Sequence, residues 1–314
     1  MDASDISFGV AILLQISIGF SGNAFILLFY ACLVSARQKF CSLDWILTHL
    51  ALANTIRLLA SGIPETLSAW GLRNFLDDVG CKILLYLHRV ARGLAICTTS
   101  FLSIFQAITI SPDTSRWARI KAKLTKSILP SCLLSWILNM LIDTSTLIFV
   151  TGPRNSTSVR LIYDLKYCSI GVHSAEAGLI NSVVVSLRDM FFVGLMSGAS
   201  GYMVFVLHSH HRQVQHLYGS NHSHRAMPEI RAAKRVIGLV ALYVILYGRQ
   251  SIMLSVLMNM KENSPLLVTI HVVLSPTFST ISPFLIILSD KRMRTFWKRK
   301  SPISNTVLSV KHMK

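Results

Sequence analysis

Seven ionisable side chains, Arg57, Arg89, Arg92, Asp143, Arg188, Asp189 and Arg249, interrupt stretches otherwise built from apolar residues. In lipid each such charge is costly, which makes each a candidate for function. His88, Arg89 and Arg92 come at i, i+1 and i+4, so His88 and Arg92 share a helical face. A guanidinium presents a planar fork of donors suited to a carboxylate or a sulfate. Five arginines against two aspartates leave the set net positive, so internal pairing does not neutralise all of it. Arg92, with Arg249 or Arg89, is therefore expected to bind an anionic or strongly hydrogen-bonding group, with His88 and Asp189 beside it. The competing reading is structural: each arginine pairs with Asp143, Asp189 or helix carbonyls, or snorkels to an interface. Enzymatic strings of the HExxH, GxSxG or P-loop kind are absent, and Asp143 and Asp189 have no evident catalytic partner. The six cysteines show no CxxC pairing or zinc-type spacing. His208, His210, His211, His216, His222 and His224 read as a solvated polar loop in preference to a metal or pH-sensing site. No metal and no cofactor is expected.

The elements that must position these groups are membrane helices. Hydrophobic residues make up 52% of the 314 and charged residues only 14%, where a soluble domain carries about 25% charged residues. Seven mostly apolar runs have the length of spanning helices: 6–33, 44–63, 81–110, 125–150, 185–207, 236–258 and 266–289. The third is long enough to tilt or to project beyond the bilayer. With the N-terminus outside, the inner segments and tail hold twenty Lys and Arg residues, among them Arg37, Arg116, Lys121, Arg212 and Lys298. The outer segments hold six: Arg73, Lys82, Arg154, Arg160, Lys166 and Lys261. The positive-inside rule thus sets the orientation. It also accounts for the formal charge of +17 as cytoplasmic surface, not a nucleic-acid footprint. A charged leader with a cleavage site is absent, so the first span reads as an uncleaved anchor.

On the outside, Asn155-Ser156-Thr157 is a glycosylation acceptor, whereas Asn221-His222-Ser223 falls inside. Cys81 and Cys168 both fall outside, in an oxidising setting where a disulfide persists; two free thiols are the alternative. After span seven, Met293, Phe296 and Trp297 recur at i, i+3 and i+4 among basic residues. That pattern suits a short helix on the inner leaflet, its apolar side in lipid and its cations near anionic headgroups, against the alternative of a disordered basic tail. The reading is an all-α membrane protein. It comprises a seven-transmembrane-helix bundle over 1–289, N-terminus extracellular, and a cytoplasmic juxtamembrane helix and tail over 290–314.

Local strings narrow this. His49-Leu50-Ala51-Leu52-Ala53-Asn54 and Gly62-Ile63-Pro64, the block from Arg89 to Thr99, and Phe105-Gln106-Ala107-Ile108-Thr109-Ile110-Ser111-Pro112 resemble the vomeronasal type-1 pheromone receptors. So do Leu187-Arg188-Asp189, the stretch from His208 to His216, Ser275-Pro276-Thr277 and Ser282-Pro283-Phe284. The resemblance covers most of the chain. It implies a G-protein-coupled receptor in the plasma membrane of vomeronasal sensory neurons, taking pheromone-like small molecules and coupling to an inhibitory-class heterotrimeric G protein. Gln106, Ile110, Arg116 and the third inner loop are expected to face that G protein. The chain departs from the wider rhodopsin-like class: Phe105-Gln106-Ala107 stands where Asp-Arg-Tyr is usual, and Asn54 replaces the usual span-two aspartate. The usual ionic lock and sodium site are therefore not expected. Instead Asn54, with Gly22-Asn23 and Ser275 or Ser279, is expected to form a polar cluster at mid-membrane, either as a switch or as packing glue. A bitter-taste-type receptor, and then a small-molecule transporter, are the alternatives.

Overall fold

The computed structural model describes residues 3–38, 40–72, 74–112, 114–151, 160–164, 167–172, 175–218, 237–238, 240–242, 244–246 and 273–300. The helices are α1 (Ala3–Ser35), α2 (Ser42–Ala69), α3 (Asp78–Ile110), α4 (Ser115–Ile142), a short α5 (Thr146–Phe149), α6 (Ala175–Tyr218), α7 (Thr277–Ser289) and α8 (Lys291–Lys300). Strands β1 (Val150–Thr151), β2 (Arg160–Asp164) and β3 (Ser169–Val172) form one antiparallel sheet in the order β1-β3-β2. Among the described residues, five helices are long and apolar enough to cross a membrane. α7 is a shorter apolar helix, and most of the sixth expected span, Arg249 included, lies outside the described residues.

Several boundaries differ from the sequence reading. α2 runs through Pro64 to Ala69 and so takes in Glu65, which the expected span left out. The fourth expected span stops at Ile142, where Asp143–Ser145 tightens to a 3-10 turn before α5 and β1. α6 is 44 residues long, about 66 Å of helix at 1.5 Å per residue, against about 30 Å of hydrocarbon. His208, His210, His211 and His216 therefore extend a helix instead of forming a loop, and His222 and His224 lie outside the described residues.

α3 is the central helix, in contact with α2, α4, α5 and α6. The fully buried core holds Ile26, Ile46, Leu50, Leu94, Ile96 and Met196, while Leu28, Leu134, Leu141, Leu187 and Phe205 point outward as a lipid-facing surface should. In lipid the apolar surface gains nothing by leaving the solvent, so helices associate through close packing and hydrogen bonds. Gly62 shows the first: a Cβ there would lie 2.2 Å from Ile16 Cδ1, so its absence lets α1 and α2 approach. Many hydroxyls inside the spans bond back along their own helix, as Thr55 does to the Ala51 carbonyl at 2.8 Å and Ser103 to the Thr99 carbonyl at 2.9 Å. In this way they present no bare donor to lipid.

At one end of the bundle, Cys81 and Cys168 form a disulfide that pins the start of β3 to the first turn of α3. Val150 and Tyr167 are buried with them. At the other end α8 folds under the bundle. Its apolar side was expected in lipid, but Met293 is fully buried and the Phe296 ring lies 5.2 Å from Phe29 and 6.0 Å from Phe25 on α1. Arg292 clamps this arrangement, donating to Asp44 at 2.6 Å and to Asp290 at 3.0 Å. The hydrogen bond to Asp44, together with Asp290, holds the guanidinium above the ordinary arginine pKa.

Candidate functional site: an arginine–carboxylate network between α3, α4 and α6

Asn139 and Asp143 stand one turn apart at the end of α4, and Arg188 and Asp189 are neighbours on α6. Arg188 donates to Asp143 Oδ2 at 2.7 Å, to Asp189 Oδ1 at 3.0 Å and to Asn139 Oδ1 at 3.2 Å. The second oxygen of Asp189 takes Arg92 from α3. Arg89, one turn before Arg92, donates to Thr146 Oγ1 at 3.0 Å, just beyond Asp143. Asn139 also reaches back, donating to the Ser135 carbonyl at 2.7 Å and to Cys97 Sγ at 3.4 Å. Three helices are thus tied by charge-assisted hydrogen bonds inside the bundle. There such bonds are strong, and an unpaired partner is costly.

This approach depends on Gly93. A Cβ there would lie 2.0 Å from Asn139 Oδ1 and 2.9 Å from Arg188 Nη1. Gly93→Ala is expected to push Asn139 and Arg188 apart and cost about 1–3 kcal/mol, the range for overfilling a packed site. The measurement is thermal unfolding of the detergent-purified protein, and an unchanged midpoint would mean that the contact has slack.

The network separates the two sequence readings residue by residue. Arg188, Asp143 and Asp189 are internal partners, with side chains 3%, 1% and 1% exposed. Arg92 is internally paired too, yet its side chain keeps 21% of its surface open. Three arginines against two aspartates leave these five groups with one net positive charge. His88 does not join them at one point: its neighbouring charges are Arg57 of α2 first, then Arg92 and Arg89. Its Nδ1 is buried without a hydrogen-bond partner, and so is Glu65 Oε2. Glu65 and Asn139 were missed by sequence reasoning. Continuing the second span through Pro64 would have included Glu65, and the four-residue step from Asn139 to Asp143 would have flagged Asn139.

The polar residues expected to form one cluster with Asn54 make separate contacts to the last described apolar helix, and Asn54 itself meets Ser282. Asn23 donates to the Ser279 carbonyl at 2.9 Å and Asn54 to Ser282 Oγ at 2.9 Å. Arg57 donates to the Ser275 carbonyl at 2.9 Å, so three polar side chains from α1 and α2 hold α7 and the turn before it. At the α8 end of the bundle, Gln106 is buried and Ile110 half-buried, and Arg116 lies in the first turn of α4. Beside them Ser111 Oγ meets Tyr202 OH of α6 at 3.0 Å, and Lys121 caps the Ser111 carbonyl at 3.1 Å. Asn155 lies outside the described residues. Among the described residues, no group of three or more metal-ligating side chains comes together.

A helical membrane bundle with its central third helix disulfide-bonded to a β-hairpin is the rhodopsin fold of the G-protein-coupled receptors. Squid rhodopsin superposes with a TM-score of 0.74 at 16% identity, over 96% of this chain and 86% of that one. The sequence model of the vomeronasal organ pheromone receptor family matches residues 6–299, and the chain belongs to that family. It is similar to human vomeronasal type-1 receptor 3, with 39% identity over 93% of this chain and 94% of the relative. Human vomeronasal type-1 receptor 4 is also 39% identical, over 92% and 97%. The zebrafish (Danio rerio) olfactory receptor class A-like protein 1 is 36% identical over 91% and 90%. The protein is a multi-pass membrane receptor of the chemosensory class and not an enzyme.

Proposed function

We propose that this receptor has seven spans with its N-terminus outside the plasma membrane, and that a pheromone-like small molecule enters from the disulfide end and engages Arg92. One observation carries the ligand reading. Of the two arginines that meet Asp189, Arg92 is the more open, and Arg188 already holds that carboxylate from the other side. An anionic or strongly hydrogen-bonding ligand group takes the place of Asp189 on Arg92, while Asp189 stays neutralised by Arg188. Arg89, one turn before Arg92, is proposed to contact the same ligand, and His88 and Arg249 are proposed as further contacts from the sequence alone, Arg249 lying outside the described residues. The exchange loosens α3 from α6 and shifts the population toward an arrangement open at the α8 end. Moving a receptor from mostly resting to mostly active takes roughly 5.5 kcal/mol of differential binding.

At that end Gln106, Ile110 and Arg116 face a heterotrimeric G protein of the inhibitory class. Because Gln106 is buried, it meets the partner only after the helix ends part. Residues 1–289 form the receptor domain and 290–314 the cytoplasmic helix and tail, with glycan on Asn155.

The test is co-expression with a promiscuous G protein, reading calcium responses to matched pairs of acids and neutral alcohols, sulfated steroids included. Acids are expected to be the more potent, and Arg92→Ala is expected to abolish their advantage with surface level intact. Equal potency within each pair would sink the anion reading and leave the receptor reading standing.

A further inference from the structure

We propose that one neutral hydrogen bond, from the Tyr202 hydroxyl to Ser111, holds the α8 ends of α3 and α6 together in the unliganded receptor. Its effect on signalling rests on the reading above that those ends part on activation. The direction of the bond follows from its neighbours. Ser111 Oγ lies 2.9 Å from the Ala107 carbonyl, which only accepts, so the serine proton goes there. Tyr202 OH, 3.0 Å from the same Oγ, is then the donor. Pro112 prepares the acceptor: a residue before proline is driven out of the helical region, and Ser111 ends α3 with φ −63° and ψ 145°. Its other groups are held as well, the N–H by the Ile108 carbonyl at 3.3 Å and the carbonyl by Lys121 of α4 at 3.1 Å. Ser111 is buried, and the Tyr202 ring is set by Trp117 of α4, 6.1 Å away.

The same two helices meet at two other levels. Arg92 takes Asp189 toward the disulfide end, and between the two polar contacts Phe101 meets Phe192 edge to face at 6.4 Å. Ser111 follows Phe101 by ten residues and Tyr202 follows Phe192 by ten, so from the aromatic pair onward the helices run in step for about 15 Å. A shift of α6 against α3 at Asp189 therefore reaches Tyr202 through one continuous helix. Gln106, five residues before Ser111, is buried in this arrangement, which marks it as the closed one. The size of the contact suits a switch. A neutral hydrogen bond shifts an equilibrium about fivefold, whereas a full change of state needs roughly ten-thousandfold. The bond biases the receptor toward rest without fixing it there.

The variants are Tyr202→Phe, which removes one oxygen and keeps the ring on Trp117, Ser111→Ala, and the two combined. Two readings are taken on the full-length receptor without ligand. Basal signalling through a promiscuous G protein is measured per receptor at the cell surface. The separation of the helix ends is measured in detergent between nitroxides on Thr109→Cys and His208→Cys, both exposed positions, with the exposed Cys32 and Cys41 replaced by serine. Tyr202→Phe and Ser111→Ala are each expected to raise the separated population and basal signalling about fivefold. The double variant should go no further, because both changes delete the same bond. An unchanged separation in Tyr202→Phe, or a double variant whose effect is the product of the two singles, would overturn the proposal. A separation that grows with no rise in signalling upholds the bond and removes instead the reading that parted ends signal. If Ser111→Ala does not fold, Tyr202→Phe decides it alone.

Discussion

Arg188→Met is expected to destabilise the receptor by roughly 3–5 kcal/mol, the cost of stranding a buried charge by removing its partner. Asp143 is 1% exposed, takes its ion pair from Arg188, and already has one oxygen, Oδ1, without a hydrogen-bond partner. Asp189 suffers less, since Arg92 still reaches it. The damage should therefore be specific to Asp143, and Arg188→Met combined with Asp143→Leu should recover a large part of the loss. That follows because a buried pair exchanged for apolar side chains of similar size is often close to neutral. Thermal unfolding of the two single variants and the double in detergent closes the cycle, with a coupling of about 0.5–3 kcal/mol expected for groups in direct contact. A double variant no more stable than Arg188→Met would assign the loss to packing around Asn139 and not to charge.

Cutting the disulfide gives the second large effect. Cys81→Ser with Cys168→Ser is expected to cost roughly 2–5 kcal/mol, the usual range for a native bridge. The separation between the two cysteines is 87 residues, for which chain entropy alone predicts about 4–5 kcal/mol. The upper part of that range is not expected here. Most of α3 and all of α4 lie between the two cysteines, and helices inserted in lipid stay helical when tertiary contacts are lost, so the unfolded loop has less freedom to lose. The local consequence is release of the hairpin, whose buried residues Val150 and Tyr167 pack around the bridge at the head of α3. Surface level and melting temperature, with and without reductant, measure it; a native protein whose melting point ignores reductant would contradict the role given to the bridge.

What the sequence by itself determined is the part dictated by solvent. Long runs of apolar residues have one satisfied conformation in lipid, the helix, so five membrane-length helices appear where runs were read, and the placement of Cys81 and Cys168 marked the bridge. The charge-bearing positions were legible for the same reason: Arg57, Arg92, Asp143, Arg188 and Asp189 stand out against an apolar background and all prove buried or partly buried. Which charge meets which was not legible. Arg89, Arg92, Asp143, Arg188 and Asp189, spread over three helices, admit many pairings of similar composition. The one adopted depends on helix rotation and on the room that Gly93 leaves for Asn139 and Arg188. The polar seam on α7 shows the same limit, since Ser275, Ser279 and Ser282 are equivalent on composition and only the register of α1 and α2 assigns Arg57, Asn23 and Asn54 to them. Helix ends, too, were not fixed by hydropathy: α6 outruns its apolar stretch at both ends, and α8 packs Phe296 against Phe25 and Phe29 of α1.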